Sequence, residues 1–194
     1  MSKKVLVFLA DGFEEVEAVT PIDYLRRAGV EVTVAAIGTG KQVTGSHGIS
    51  LVADTTITAL EQAGRFNAGS WDGAFAPGGM PGAANLAACA PAGNFFKEMS
   101  AAGKIIAALC AAPAVFLAPL GLLERKKFTC YPGMESKVAS IAGGGGNWLS
   151  DKVVIDGNLV TSRAPGTAVN FALALIELFA GKDAAESLRK SALL

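Results

Sequence analysis

Cys110 combines the residue type and the local sequence of a reactive nucleophile. It follows a continuous apolar run, Ile105 to Leu109, that predicts a buried strand, and it precedes Ala111, Ala112 and Pro113. Small side chains permit a sharp turn, and proline is tolerated in the first turn of a helix, where its missing N–H is not needed. Cys110 is therefore predicted to stand at a strand-to-helix elbow, where the helix N-terminus favours the thiolate that attacks carbonyls or peroxide. The alternative is a buried core cysteine, a common environment for free thiols.

Three carboxylates follow the first predicted strand, Lys4 to Leu9. Glu14, Glu15 and Glu17 fall in the first turn of a predicted helix. They could move protons in catalysis, or they could simply complement the helix dipole. The turn lacks a GxGxxG pattern and places acids where a phosphate would lie, so dinucleotide binding there is disfavoured.

A glycine-rich turn, Pro77 to Gly82, follows another predicted strand, Asp72 to Ala76. Such a turn exposes backbone N–H groups of the kind that an oxyanion pocket requires. A tight turn would explain these glycines equally well.

The elements that carry these turns alternate between strands and helices. The first unit is strand, helix, strand, which ends with Val30 to Ile37, and it implies parallel pairing through a crossover. Further strands are predicted at Asp72–Ala76, Ile105–Leu109 and Phe128–Tyr131, further helices at 112–117, 133–141 and 168–180, and hairpins at 41–54 and 153–161. We therefore expect one α/β domain over residues 1–194, a three-layer sandwich around a mainly parallel sheet, with ligands at the carboxyl ends of its strands.

Composition excludes several classes of protein. Of 194 residues 51% are hydrophobic and 18% charged, too apolar a balance for disorder. Seventeen basic and seventeen acidic residues cancel, so no overall field recruits nucleic acid or an anionic membrane. The uncharged run Ile105–Leu123 could span a membrane by length, but Pro113 and Gly121 favour a strand followed by a helix. Three cysteines without a CxxC pair, and one histidine, indicate reduced thiols, a cytoplasmic location and no Cys/His metal site.

Several separated motifs, in order along nearly the whole chain, carry a family resemblance. The chain resembles the ThiJ/PfpI superfamily, and within it the branch of the human parkinsonism-associated protein (DJ-one) and its bacterial relatives. The motifs are Ala10–Glu17, Arg26–Gly29, Pro77–Gly79, Ala108–Ala111, Thr129–Pro132 and Thr161–Thr167.

This resemblance implies a flavodoxin-like sandwich, usually a homodimer, without metal or organic cofactor. It implies that Cys110 is the nucleophile, that Glu17 is the acid in contact with it, and that the N–H groups of Gly79 and Ala111 form the oxyanion pocket. Family members are described as glutathione-independent glyoxalases, as deglycases of glycated amino acids, and as oxidative-stress sensors or chaperones. The expected partners are therefore small reactive carbonyl compounds or glycated adducts.

The chain departs from the family pattern in two places. The protease branch has a histidine directly after the nucleophile, where this chain has Ala111, so proteolysis is not expected. Tyr131 stands where the human protein brings a histidine toward its cysteine, and we treat Tyr131 as a candidate hydrogen-bond donor. His47, the one histidine, lies in the first hairpin and is expected to be a surface or dimer-contact residue.

Two functions remain open from the sequence. One is an enzyme in which Cys110 adds to methylglyoxal and Glu17 moves protons. The other is a sensor or chaperone in which Cys110 is oxidised to a sulfinic acid that Glu17 hydrogen-bonds. Cys130 is either a resolving thiol near the pocket or a buried structural cysteine.

Overall fold

The computed structural model describes residues 2–141 and 145–194. Eleven strands lie within these two ranges. In chain order they are β1 (Lys4–Leu9), β2 (Glu31–Ala36), β3 (Gln42–Thr44), β4 (Ser50–Val52), β5 (Thr55–Thr56), β6 (Gly73–Ala76), β7 (Ile105–Leu109), β8 (Lys127–Phe128), β9 (Asn147–Trp148), β10 (Val153–Asp156) and β11 (Leu159–Ser162). The α-helices of the same ranges are α1 (Glu15–Arg27), α2 (Ile57–Gln62), α3 (Gly82–Ala88), α4 (Ala90–Ala101), α5 (Glu135–Ser140), α6 (Ala168–Ala180) and α7 (Lys182–Ser191).

Seven strands form a central sheet in the order β10-β11-β7-β6-β1-β2-β5. All neighbours pair parallel except β10, which is antiparallel to β11 as the predicted second hairpin requires. Because β1, β6 and β7 are adjacent and parallel, Leu9, Ala76 and Leu109 end at one edge of the sheet. The predicted α/β class with a mainly parallel, flavodoxin-like sheet is confirmed, and the three turns singled out above meet at that edge.

Apolar strands and amphipathic helices bury each other around this sheet. Helix α1 packs against α6, and α6 against β11, whereas α4 packs against β6 and β7. Val5 to Leu9 of β1 are all buried. The ring of Phe8 lies 5.4 Å from that of Phe95 and 5.3 Å from that of Phe96, centroid to centroid. Such continuous burial explains why β1 is apolar at every position after Lys4 and does not alternate.

The predicted first hairpin is present as β3 and β4, and it forms a sheet of its own. Two other elements differ from the sequence predictions. The strand predicted at Phe128–Tyr131 ends at Phe128 in β8, which pairs with β9, because the Tyr131 N–H donates to the Cys110 carbonyl at 2.8 Å. The helix predicted at 112–117 is a π-helical turn, Pro113–Leu117, followed by a 3-10 turn, Ala118–Leu120. In the part of the chain that the structure describes, no helix has the length and apolar character needed to cross a membrane.

Candidate active site

Cys110 occupies a sharp turn directly after β7. Its backbone has a φ of 62°, in the left-handed region that costs a non-glycine residue roughly 1–2 kcal/mol. Two hydrogen bonds hold it there, since its N–H donates to the Ser162 carbonyl at 3.0 Å and its own carbonyl accepts from Tyr131. The residue is 8% exposed. The elbow therefore presents the sulfur at the sheet edge, within a nearly closed setting.

Glu17 approaches this sulfur from the first turn of α1. Its position is set by Glu14, whose carboxylate caps the helix by accepting the Glu17 N–H at 2.6 Å. The Glu17 side chain is fully buried, and Oε2 accepts the Gly78 N–H at 2.9 Å. Oε1 makes no hydrogen bond with any of the described residues, and the carboxyl lies beside Cys110, whose thiol lowers the pKa of Glu17. The two residues predicted from separate turns thus form one pair.

The glycine turn closes the site from a third side. A Cβ on Gly78 would lie 2.6 Å from Glu17 Oε2 and 2.7 Å from the Cys110 Cβ, so only glycine fits between them. Gly79 has a φ of 88°, where glycine is unstrained. The N–H groups of Gly79 and Ala111 both hydrogen-bond the Cys110 sulfur. Their role as an oxyanion pocket stays a prediction.

Burial opposes the ionisation of both acidic groups of this pair. Burial, together with the charge of Glu14, raises the pKa of Glu17 to about 8. Burial is also the largest cause that raises the pKa of Cys110, followed by the charge of Glu17 and its hydrogen bond. The N–H groups of Gly79 and Ala111 lower the Cys110 pKa, but they are outweighed. Burial and Glu17 therefore act against the expected preference of the helix N-terminus for thiolate.

A shared proton makes this pair chemically useful. When one proton leaves, the other can sit on sulfur or on carboxyl, so a thiolate can form beside a neutral acid. A thiolate is a nucleophile, and a neutral carboxyl in contact with it can donate a proton to the atom that the thiolate attacks. The arrangement can support addition to a carbonyl followed by proton transfer.

Tyr131 and Cys130 are less closely tied to this chemistry. Tyr131 is 47% exposed, and its hydroxyl makes no hydrogen bond within residues 2–141 and 145–194. Its role as a donor stays a prediction. Cys130 is fully buried, and burial together with the charge of Glu135 raises the pKa of its thiol to about 12. This environment suits a structural cysteine better than a reactive one.

Glu15 and His47 form a pair that the sequence did not reveal. The Glu15 carboxylate lies 2.9 Å from His47 Nδ1 and also accepts the N–H groups of His47 and Ile49. Burial alone would raise the pKa of Glu15, but these hydrogen bonds outweigh it and lower the pKa to about 2. The pKa of His47 is raised by the same contact. Ligand atoms of Glu14, Glu15 and His47 lie within 4.8 Å of one another, but the Glu15 oxygens already serve to fasten the hairpin to α1.

Sequence reasoning also missed two positioning residues. The sequence identifies Gly78 only as part of a turn, yet its N–H donates to Glu17 and its missing side chain lets the acid reach the sulfur. Glu14 is the N-cap of α1 rather than a reacting group. Two adjacent glycines at a strand end, and an acid three residues before Glu17, were the available signals.

Comparison with known proteins places the chain in a family. The model of the DJ-1/PfpI family matches residues 3–178. The chain belongs to the DJ-1/PfpI family. The predicted resemblance to the ThiJ/PfpI superfamily is thereby confirmed, and the match contains the elbow, α1 and the glycine turn.

Individual relatives cover the chain at moderate identity. It is 41% identical over 184 residues, 95% of its length, to Protein DJ-1 homolog B of Arabidopsis thaliana. It is 33% identical, over 97% of the chain and 95% of the relative, to the Caenorhabditis elegans protein named glutathione-independent glyoxalase DJR-1.2. The crystal structure of Drosophila melanogaster DJ-1beta superposes with a TM-score of 0.90 at 38% identity, over 100% of this chain and 99% of that one. The chain spans only 40% and 47% of the length of two Arabidopsis relatives.

Proposed function

We propose that this member of the DJ-1/PfpI family is a glutathione-independent glyoxalase that converts methylglyoxal to lactate. The observation that carries the proposal is the contact between the Cys110 thiol and the buried Glu17 carboxyl, with two N–H groups aimed at the sulfur. The name of the C. elegans relative supports the same activity class.

The first step adds sulfur to the aldehyde carbon. The pair loses one proton to solvent, and the Cys110 thiolate attacks the carbonyl while Glu17 stays neutral. The new C–S bond pushes the carbonyl electrons onto oxygen, where the Gly79 and Ala111 N–H groups stabilise the negative charge. Glu17 then donates its proton to this oxygen, which gives a hemithioacetal and a Glu17 carboxylate.

The second step moves one hydrogen between carbons. The Glu17 carboxylate removes the proton from the carbon bonded to sulfur, and the electron pair moves onto the ketone oxygen to give an enediolate. The hydroxyl proton on the sulfur-bearing carbon then passes to that oxygen, and Glu17 returns its proton to the neighbouring carbon as the sulfur-bearing carbon becomes a carbonyl. The product is a lactoyl thioester of Cys110. Water hydrolyses this thioester to lactate and restores the thiol. The net reaction consumes one water and needs neither an oxidant nor a reductant.

The charge of the pocket favours an uncharged substrate. None of the groups that shift the pKa of Cys110 or of Glu17 is a cation, and Glu14 adds a further negative charge. A substrate carboxylate would therefore meet no cation among these groups. We therefore expect methylglyoxal to be used much better than glyoxylate, an aldehyde that carries a carboxylate. Adducts of methylglyoxal with thiols and amines release or present the same carbon, so deglycase activity needs no further groups.

The test is methylglyoxal consumption and lactate formation without glutathione or added metal. We expect Cys110→Ser and Glu17→Gln to abolish lactate formation. Cys130→Ser is the matched control, because this buried cysteine takes no part in the reaction, and it should keep the native rate. Absence of turnover in the native protein, or turnover that survives Cys110→Ser, would refute the proposal.

A redox sensor is the second candidate. The observation in its favour is that Glu17, neutral below pH 8, could donate a hydrogen bond to an oxidised Cys110. Peroxide at one to a few equivalents, followed by mass spectrometry, should then oxidise Cys110 before the more exposed Cys89. Equal oxidation of both would remove the support for a sensor.

We further propose that the chain acts as a homodimer. Val19 of α1 and Val52 of β4 line one shallow cavity and are 42% and 77% exposed, and Val16 lies on the same face of α1. A second copy would cover this apolar surface. Light scattering should give twice the chain mass, and Val52→Asp should halve it, whereas a monomeric native protein would contradict the proposal.

A further inference from the structure

A basic cavity lies at the edge of the sheet opposite Cys110. Its volume is about 470 Å³, and it is lined by the residues that precede three adjacent strands: Lys3 and Lys4 at β1, Trp71 and Asp72 before β6, and Lys104 before β7. Lys104 and Cys110 stand at the two ends of β7, roughly 20 Å apart at ~3.3 Å per residue. The cavity is thus separate from the proposed catalytic site.

Charge is unevenly distributed in this cavity. Four cations, Lys3, Lys4, Arg65 and Lys104, line it with a single carboxylate, Asp72. The chain as a whole is neutral, so this local excess of positive charge is a property of the fold. Because β1, β6 and β7 are adjacent and parallel, their first residues lie close together, and this brings Lys3, Lys4 and Lys104 to one cavity.

Asp72 is shared among several donors. Its Oδ1 lies 3.2 Å from Lys3 Nζ and 3.9 Å from Lys104 Nζ. Its Oδ2 accepts the backbone N–H of Lys4 at 3.0 Å. The Lys4 ammonium itself is 3.9 Å from Glu31, outside the cavity. The Asp72 carboxylate is therefore the ion-pair partner of both Lys3 and Lys104, and it neutralises only one of their two positive charges.

Arg65 is held in place without an acidic partner. Its guanidinium lies over the Trp71 ring, 5.2 Å from the centroid, and its carbonyl accepts the indole N–H at 2.9 Å. No carboxylate lies within 4 Å of it in the described ranges. A guanidinium fixed on an aromatic ring loses little entropy when it binds an anion, and its planar donors suit phosphate oxygens.

We propose that this cavity binds a multivalent phosphate, either an inorganic polyphosphate or the phosphate chain of a nucleotide. Arg65 would donate to one phosphate group, and Lys3 and Lys104 would turn from Asp72 toward the next. Trp71 is buried beneath Arg65 and leaves no ring face for a base, so the phosphates supply the recognition. The inference does not depend on the proposed glyoxalase activity.

Calorimetric titration of the full chain with tripolyphosphate, and separately with ATP, tests this assignment at low ionic strength. We expect saturable binding that weakens with salt, and about tenfold weaker affinity in Arg65→Gln and in Lys104→Gln. Asp72→Asn should tighten binding, because it removes the competing carboxylate; damage to the fold would not produce this gain. Lys182→Gln, which removes one positive charge on α7, is the charge-matched control.

Each result of these titrations either supports or overturns the proposed phosphate site. Equal affinity for tripolyphosphate and ATP supports recognition of the phosphates alone, and tighter ATP binding supports a nucleotide as the ligand. No saturable binding of either compound overturns the proposal. So does an equal loss of affinity in the α7 control, which would indicate nonspecific attraction to surface lysines. Unchanged or weaker binding in Asp72→Asn would also overturn it.

Discussion

Replacement of Glu17 by glutamine separates the charge of this side chain from its shape. Glutamine can still accept the Gly78 N–H and can still donate to the Cys110 sulfur, as the neutral carboxyl does. It cannot lose a proton. Burial and the charge of Glu14 raise the pKa of Glu17 to about 8. The thiolate fraction of Cys110 should therefore depend on pH differently in the native protein and in Glu17→Gln above pH 8, and in the same way below it.

The expected magnitude follows from counting protons. Above pH 8 the native pair holds one proton, and the ratio of thiolate with neutral acid to thiol with carboxylate no longer depends on pH. The native thiolate fraction therefore levels off near pH 8. In Glu17→Gln the fraction keeps rising tenfold per pH unit until the thiol ionises, and burial keeps that pKa above the ordinary value of 9.0. From pH 7 to pH 9 the thiolate fraction of Cys110 should therefore rise about tenfold more in Glu17→Gln than in the native protein.

The assay is the rate of Cys110 alkylation by iodoacetamide, measured by mass spectrometry of the peptide from pH 6 to pH 9.5. Cys89, which is partly exposed and lies outside the site, serves as the internal reference in both proteins. A native rate that continues to rise tenfold from pH 8 to pH 9 would refute the reasoning. So would parallel profiles of the two proteins, because the carboxyl would then not titrate beside the sulfur.

Three further outcomes follow from the same site. Glu17 loses its proton near pH 4.5 in the unfolded chain and near pH 8 in the folded one, so the native protein should lose stability relative to Glu17→Gln as the pH rises between these values. Urea titrations should show a loss of about 4 kcal/mol from pH 5 to pH 8, and a constant difference would contradict the raised pKa. Gly78→Ala should lose at least about 90% of lactate formation and roughly 1–3 kcal/mol of stability, because the new Cβ would displace the Glu17 carboxyl from the Cys110 sulfur. Native activity in this variant would show that the contact between Glu17 and Cys110 is dispensable. Cys110→Gly should be about 0.5–1 kcal/mol more stable than Cys110→Ala, because only glycine is unstrained at a φ of 62°, and the reverse order would exclude strain at the elbow.

Elements with uninterrupted local signals were predicted to the residue. Strand β1 is a single apolar run that ends at Leu9, and α6 ends at Ala180 before Gly181. By contrast β5, with two residues, and α2, with six, give too short a pattern to detect. The strand predicted through Tyr131 failed for a different reason. The Tyr131 N–H bonds to the Cys110 carbonyl, a partner that β propensity of the local segment does not contain.

The sequence predicts which residues the structure brings together, but it does not predict their electrostatics. The elbow at Cys110 follows from a strand, small residues and a proline, all of which are local. The ionisation of the thiol depends on burial and on Glu17, which lies 93 positions away in the chain, and both act against the local helix N-terminus. Only the fold shows which influence is larger, because desolvation is a property of the whole neighbourhood.

The proton of Glu17 also distinguishes the two candidate functions. The glyoxalase reaction requires residue 17 to release a proton and to take one from carbon, which glutamine cannot do. Stabilisation of an oxidised Cys110 requires only a hydrogen-bond donor, and the glutamine amide provides one. Glu17→Gln should therefore abolish lactate formation while the Cys110 sulfinate still forms with peroxide and persists. Mass spectrometry and the lactate assay on one preparation measure both properties. If the variant loses the sulfinate together with turnover, the carboxyl acts on oxidation through its charge, and residue 17 does not separate a sensor from an enzyme.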